Sequence, residues 1–349
     1  MSHEGTRAER ESWKQRCEAR FSDRDFVRLK VEPLIPELAG NGDRGGTATF
    51  ARAKASGRMT LRYEFAETGA VYAKAYYSNL LGLEAYQLLR KLWGDGFGSH
   101  SCYRVPQPLG YIAAESMLVM REVRGASVSD LAVKGTREQA LEAMRVAARW
   151  LLRLHRSHAD GLEVEPPCEQ IEVLKTTSLL AKVAAQFSGR APSLIEMVHQ
   201  LRDLAPSASS PVKVTPLHGE YRPAHVLIEG DSVSVIDLDR IRLSDPAKDV
   251  SRFVHVLNKT CYEAGAGAVH AHLLAREFVE EYRMGAPENL AHLPYFNALY
   301  ALKAFAKVVK FTKTQEKPPE ACAAIESMER LYLDDFALAT EQLTSGNRA

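Results

Sequence analysis

LHGEYRPAHVLIEGDSVSVIDLDRIRLSDPAKDV, residues 217–250, is the stretch on which the fold of this chain is decided. Within it, VLIEGDSVSVID sets two short apolar runs on either side of Gly230 and Asp231, the pattern of a tight β-hairpin. If Ile228 pairs with Val233, His225 falls opposite Ile236 and Ala224 opposite Asp237. The loop bearing His218 and Glu220 then enters the hairpin beside the end that carries Asp237 and Asp239. Strand pairing alone therefore gathers a base-type residue and metal-type carboxylates. Taken singly, an HGE or an IDLD is usually structural: Asp237 could close a turn, and His218 could be a satisfied core histidine. Their combination at this spacing points to a site.

The rest of the chain bounds what that site serves. Its 349 residues suffice for one large domain or two lobes with a real core. With 46% hydrophobic and 26% charged residues, the composition is that of a soluble globular protein. A formal net charge of +1 excludes the global basic field of a general nucleic-acid binder. Cys17, Cys102, Cys168, Cys261 and Cys322 are scattered with no CxxC pair, which suits reduced thiols better than a disulfide framework. The charged N-terminus has no apolar core of a secretory signal, and no stretch approaches the ~18 apolar residues of a membrane span. A cytoplasmic protein with neither membrane nor nucleic acid as partner is expected. Its oligomeric state is not readable.

Residues 1–46 read as a polar N-terminal extension ending in the glycine-rich LAGNGDRGGT. TATFARAK, MTLRYEF and AVYAKAYY follow as three strands, with turns at Ser56-Gly57 and Glu67-Thr68-Gly69. LLGLEAYQLLRKLW has helical periodicity, and VPQPLGYIAAESMLVMREV reads as two more strands about a turn at Ala113 and Ala114. Beyond Gly125 helices dominate: an amphipathic one through TREQALEAMRVAARWLLRLHRSH, then others near 170–186, 193–204, 248–262, 267–284, 292–312 and 319–343. LAPSASSPVK reads as an internal linker. The expected architecture is α+β, with a small β-rich lobe at 47–122 and a larger, mainly helical lobe at 123–349.

In this order the motifs resemble those of the aminoglycoside phosphotransferase and choline kinase-like family, which has the two-lobed protein-kinase-like fold. That family's pattern is HGDxxxxN, a short hairpin, ID and usually DPxxD. It is matched here by His218, Gly219, Glu220, His225, Ile236, Asp237, Asp245, Pro246 and Asp249. The resemblance spans roughly residues 47–312 and implies an ATP-dependent kinase acting on a hydroxyl of a small molecule. By resemblance, Glu220 is the base that orients the acceptor hydroxyl, supported by His218. Asp237 and His225, with Asp239, hold Mg²⁺ on the nucleotide phosphates, and Asp245 and Asp249 support the loop. VYAKAY resembles the lysine strand, which puts Lys74 on the phosphates, with Glu84 in the next helix as its partner. LVMREVRGASVSDL resembles the hinge, where backbone groups of Arg121, Glu122 and Val123 meet adenine. AKASGRM has one glycine in place of a glycine-rich loop, so phosphate cradling falls to Ser56, Gly57 and Arg58.

Two positions depart from the pattern. Glu220 stands for Asp, one methylene longer, and a displacement of about 1 Å at such a site can cost on the order of 10²-fold in rate. His225 stands for Asn. Mg²⁺ prefers oxygen, while imidazole suits transition metals, so Mn²⁺ is an alternative ion and His225 could lie outside the metal shell. Both departures keep open a nucleotide-binding pseudokinase or regulatory protein. A metal hydrolase using His218, Glu220 and His225 as ligands is a third reading. In the helix YFNALYALKAFAKVVKFTK, Leu299, Leu302, Phe305 and Val309 form an apolar stripe, and Lys303, Lys307 and Lys310 a basic face. If that face is not merely solvated, it favours an acceptor bearing phosphate or carboxylate. The acidic EFVEEY leaves a cationic acceptor open.

Overall fold

A computed structural model describes residues 6–38, 47–54, 57–66, 68–158, 160–164, 178, 181, 191–203, 205, 213–312 and 319–346. The helix expected near 170–186 and the linker at 204–213 fall largely outside these. Two compact units are formed: Met1–Gly125 with Leu227–Leu238, and Ala126–Val226 with Asp239–Ala349. The first unit thus ends a few residues after the expected boundary at 122/123, and the hairpin, from Leu227 on, goes with it. Strand pairing explains this. Ser232–Val235 runs parallel to Tyr103–Arg104, with Val233 opposite Tyr103, and the Val233 N–H donates to the Cys102 carbonyl at 2.7 Å. Gly125 has φ +123°, and a Cβ there would come within 2.5 Å of the Ile228 carbonyl oxygen, so only glycine passes the hairpin at this point.

The first unit is built on five antiparallel strands: β1 (Thr47–Lys54), β2 (Arg58–Phe65), β3 (Gly69–Tyr76), β5 (Pro108–Ile112) and β6 (Met117–Arg121), in the order β1-β2-β3-β6-β5. The short Tyr103–Arg104 strand, β4, lies in the hairpin's sheet. Alternation decides the faces. Met59, Leu61, Tyr63, Phe65, Val71, Ala73, Ala75, Met117 and Val119 are buried on one face. That core is closed by the helix α1 (Arg7–Phe21) and the helical turns after it, through Phe21, Phe26, Val27, Val31, Ile35 and Leu38. The Tyr63 hydroxyl donates to the Phe21 carbonyl at 3.0 Å. Each such side chain withdrawn from water stabilises by about 1.5–3 kcal/mol. Residues 6–38 are therefore part of the core, not an extension of it. Helix α2 (Asn79–Gly94) approaches closely at Gly82, where a Cβ would meet the Ser116 carbonyl and the Tyr111 hydroxyl at 3.0 Å.

The second unit is mainly helical: α3 (Val128–Lys134), α4 (Arg137–His155), α5 (Ala191–Asp203), α6 (Ala247–Glu263), α7 (Ala268–Gly285), α8 (Leu293–Thr312) and α9 (Pro319–Gly346). Helix α4 starts with a capping box between Thr136 and Gln139 and pairs with α7 through Arg145–Glu277 at 2.6 Å and Arg149–Glu281 at 2.7 Å. An aromatic stack fills the centre: Trp150 on Tyr221 at 5.9 Å, Tyr221 on Phe253 at 5.3 Å, and Phe253 on Phe278 at 4.0 Å. Among the described residues no helix is long and apolar enough to cross a membrane. The chain has the α+β, protein-kinase-like fold.

Candidate active site

In the first unit, Lys74 projects from β3 on the side opposite the Val71, Ala73 and Ala75 core face, since neighbouring strand residues alternate. Its Nζ lies 2.8 Å from Asp237 Oδ1, and the two side chains are only 14% and 18% exposed. Asp237 follows the hairpin in the left-handed region, at φ +67°. For a residue other than glycine that conformation costs about 1 kcal/mol or more, and Asp is among the few that tolerate it. Asp237 thus joins a strained backbone to a carboxylate paired with a largely buried ammonium.

Glu84, expected to hold Lys74, is exposed on α2. Gly82, Leu89 and Leu92 make the buried stripe of that helix, and Glu84 falls off it, so Asp237 holds Lys74 instead. Ser56 lies outside the described residues. Gly57, at φ +76°, accepts the Tyr77 N–H on its carbonyl at 2.8 Å, and a Cβ on it would meet that of Tyr77 at 2.9 Å. It makes a packed corner instead of an open phosphate cradle. At the expected hinge, the Arg121 N–H donates to Gln107 and the Glu122 N–H to Ala70. Their side chains are taken as well, Arg121 by Glu37 at 2.8 Å and Glu122 by Arg62 at 2.9 Å. Val123, the next residue, lies beyond the strand ladder.

In the second unit, the strands Thr215–Leu217 and Arg242–Ser244 pair antiparallel, with Leu217 opposite Arg242. That pairing carries His218, Gly219 and Glu220 out beside Arg240. Gly219 has φ +76°, and a Cβ would lie 2.8 Å from the Arg240 carbonyl oxygen. Asp249, buried in the first turn of α6, reaches back to the loop. Its Oδ2 accepts the His218 N–H at 2.6 Å and its Oδ1 the Gly219 N–H at 3.0 Å. His155 Nε2 stands 3.4 Å from the same carboxylate, His155 Nδ1 lies 2.6 Å from the Tyr282 hydroxyl, and Asn289 donates to that hydroxyl at 2.9 Å. A proton on His155 Nε2 directed at the carboxylate, with Nδ1 accepting from Tyr282, satisfies every link of this chain. Burial raises the Tyr282 phenol well above its ordinary range, which keeps it protonated and donating. Asp245, just before α6, accepts the Ala247 N–H at 2.9 Å and meets His292 Nδ1 at 2.7 Å.

His218 Nδ1 accepts the Glu220 N–H at 3.2 Å, and fully buried Tyr221 donates to the Ala147 carbonyl at 2.7 Å. The backbone of Glu220 is thus anchored on both sides, and its side chain, 22% exposed, leaves the core. There Oε1 receives Arg240 at 3.0 Å and Oε2 receives Arg252 at 3.2 Å. These arginines, 20 and 32 residues on, and His155 are site residues that motif spacing does not reveal. A lone histidine ending an amphipathic helix is the only trace of the latter in the sequence.

His225 does not fit a metal ligand. It is buried, and its Nε2 lies 2.8 Å from the Arg222 Nε–H, so a fixed cation occupies that lone pair. His218, Glu220 and His225 each have other partners, and among the described residues no three His, Cys, Asp or Glu side chains gather as a ligand set. The hydrolase reading is set aside on this geometry. Asp237 does fit Mg²⁺, which typically takes one or two carboxylates together with substrate phosphates. Asp239 is partly buried two residues on.

The phosphotransferase enzyme family matches residues 70–287, more than half of the chain. No curated protein is detectably similar in sequence. Among solved structures, choline kinase from Cryptosporidium parvum is similar at 10% identity and a TM-score of 0.60, with 92% of this chain and 97% of that one covered. A choline/ethanolamine kinase family protein from Mesorhizobium loti is similar at 14% identity and 0.54, with 91% and 98% covered. Aminoglycoside phosphotransferase from Alicyclobacillus acidocaldarius is similar at 11% identity and 0.56, with 82% and 90% covered.

Proposed function

The chain belongs to the phosphotransferase enzyme family, and from that premise we propose that it transfers the γ-phosphoryl group of ATP to a hydroxyl of a small molecule. The observation that carries this is the buried Asp249 carboxylate, which holds the amides of His218 and Gly219 while the next residue presents a carboxylate outward. Phosphoryl transfer asks for positioning and charge compensation more than for covalent chemistry. Lys74 is assigned to the nucleotide phosphates, Asp237 to the metal ion, and the Val123 backbone to the base. Mg²⁺ bound at Asp237 supplies neutralisation of phosphate charge. An ADP-bound structure of the fold-related aminoglycoside phosphotransferase APH(2'')-Ib supports the nucleotide assignment.

In the transfer itself, the acceptor oxygen forms a bond to the γ-phosphorus while the bond to the β–γ bridging oxygen breaks. ADP leaves with that electron pair, and the hydroxyl proton passes to a Glu220 oxygen. The methylene by which Glu220 exceeds Asp is matched by the arginine pair, which fixes where the longer side chain ends. One observation favours a second reading, a nucleotide-binding pseudokinase: both Glu220 oxygens already carry a guanidinium. ADP release from ATP and Mg²⁺ with a panel of hydroxylated acceptors, and mass spectrometry of the products, separates the two. A product heavier by one phosphoryl group supports the kinase; ATP binding with no product from any acceptor supports the pseudokinase.

A further inference from the structure

Both oxygens of Glu220 receive a guanidinium, but the two donors are held differently. Arg240 reaches Oε1 at 3.0 Å from the turn before the Arg242–Ser244 strand, and its side chain is 47% exposed. An exposed pair of this kind gives up rotamer freedom to hold one geometry and contributes little. Arg252 reaches Oε2 at 3.2 Å from the second turn of α6, with a side chain only 26% exposed. Its Cζ stands 5.5 Å from the centroid of the Tyr300 ring on α8, a distance at which the face of an aromatic ring attracts a guanidinium. Tyr300 is backed in turn. His255, three residues after Arg252 on α6, stacks on it at 5.8 Å and 15°, and lies 5.9 Å from the buried Tyr332 ring of α9. Burial, with the Arg252 charge adding to it, lowers His255 to about 4, so that ring is neutral near pH 7 and brings no charge of its own to the stack. Three helices thus fix the Arg252 head, whereas Arg240 hangs from a turn.

We propose that Arg252, seated on Tyr300, is a positioning residue for the transfer: it commits Oε2 of Glu220 and leaves Oε1 as the oxygen that takes the acceptor proton. An ionised carboxylate has about four acceptor directions, so Oε1 can bond a hydroxyl beside Arg240 while Oε2 stays with Arg252. Shortening Glu220 to Asp draws the carboxylate back by roughly 1 Å, which takes the 3.2 Å contact with Arg252 beyond hydrogen-bond length. Glu220, Arg252 and Tyr300 therefore act as one unit, in which the extra methylene and the ring-borne guanidinium compensate each other. The part in transfer rests on the kinase reading; the held guanidinium stands on the contacts alone.

The test is a double-mutant cycle on the full chain, with Arg252→Gln, Glu220→Asp and both together, read in single-turnover transfer from ATP to the hydroxylated acceptor that turns over fastest. Each single change should slow transfer by about 10-fold or more with ATP affinity within about twofold, and the double variant should stay within about threefold of Glu220→Asp, because Asp has already lost the guanidinium. Arg252→Lys should recover part of the rate, since it keeps the charge but not the planar head. Independently of turnover, nitrogen-15 NMR should show slowly exchanging Nη–H groups on Arg252, and their exchange should quicken by about 10-fold or more in Glu220→Gln and in Tyr300→Leu. Transfer by Arg252→Gln within about twofold of wild type, or a double variant whose loss is the product of the two single losses, overturns the inference. Fast Nη–H exchange on Arg252 in the wild-type protein overturns it as well. Slow exchange that depends on Glu220, with no phosphoryl transfer to any acceptor, removes the kinase reading and the positioning role together and leaves the Arg252 contacts as packing.

Discussion

Asp249→Asn is nearly isosteric, yet its cost is large and can be worked from the hydrogen bonds. Both carboxylate oxygens face backbone donors, Oδ2 the His218 N–H at 2.6 Å and Oδ1 the Gly219 N–H at 3.0 Å. An amide must turn its NH₂ toward one of them whichever way it is flipped. One charge-assisted bond, about 1.5–3 kcal/mol, is lost, and the donor left unpaired in a buried place costs about 1–3 kcal/mol more. The sum, about 2.5–6 kcal/mol, is a large share of the 5–15 kcal/mol typical of a domain. Urea unfolding followed by fluorescence reads it, because Trp150 stacks on Tyr221 in the same unit. A midpoint shift worth less than about 1 kcal/mol would refute the assignment of Asp249 as the clamp of this loop. Under conditions where the variant stays folded, phosphoryl transfer should fall by more than ATP affinity does, since the clamp positions Glu220 and touches no nucleotide residue.

Asp237→Asn keeps a side chain that tolerates φ +67° but removes the charge facing Lys74, so Mg²⁺-dependent ATP binding should weaken at least 10-fold by calorimetry, and Lys74→Ala should do the same. Phe26→Ala should destabilise the first unit by about 3–5 kcal/mol in denaturant titration, whereas an independent extension would lose almost nothing. The hydrogen bond that protonated His272 donates to the Asp335 carboxylate raises it above its ordinary value of 6.5. Because the folded protein favours the protonated form, this contribution is complete below about 6.5 and is lost as pH rises through the raised folded value. Thermal stability of wild type should therefore decline over that window relative to His272→Gln; parallel pH profiles would contradict it.

The strands of the first unit are legible because alternation and turn residues agree, from the β2 run of Met59, Leu61, Tyr63 and Phe65 to the corner at Gly57. The HGE loop, the hairpin and the DPxxD helix start are legible for the same reason: each needs a special residue at a set position. What escapes depends on rotation and on long range. The spacing of Glu84 from Lys74 says nothing about the phase of α2, which turns that carboxylate to solvent. Residues 6–38 are so rich in charge that the apolar set Phe21, Phe26, Val31 and Ile35 is diluted, although it seals the sheet. The partners of Glu220 come from the turn before the Arg242–Ser244 strand and from helix α6, 20 and 32 residues on. Local pattern carries no information about them. The Arg222–His225 contact likewise turns an apparent metal ligand into part of the loop's own packing.

Single-turnover transfer with Glu220→Gln tests the central claim most directly. The amide keeps size and reach but cannot take the acceptor proton, so transfer should fall by about 10² or more, the usual range of general-base loss, while ATP affinity stays within about twofold. Transfer by Glu220→Gln at the wild-type rate, or ATP binding by the wild-type protein without a phosphorylated product from any acceptor, would contradict it.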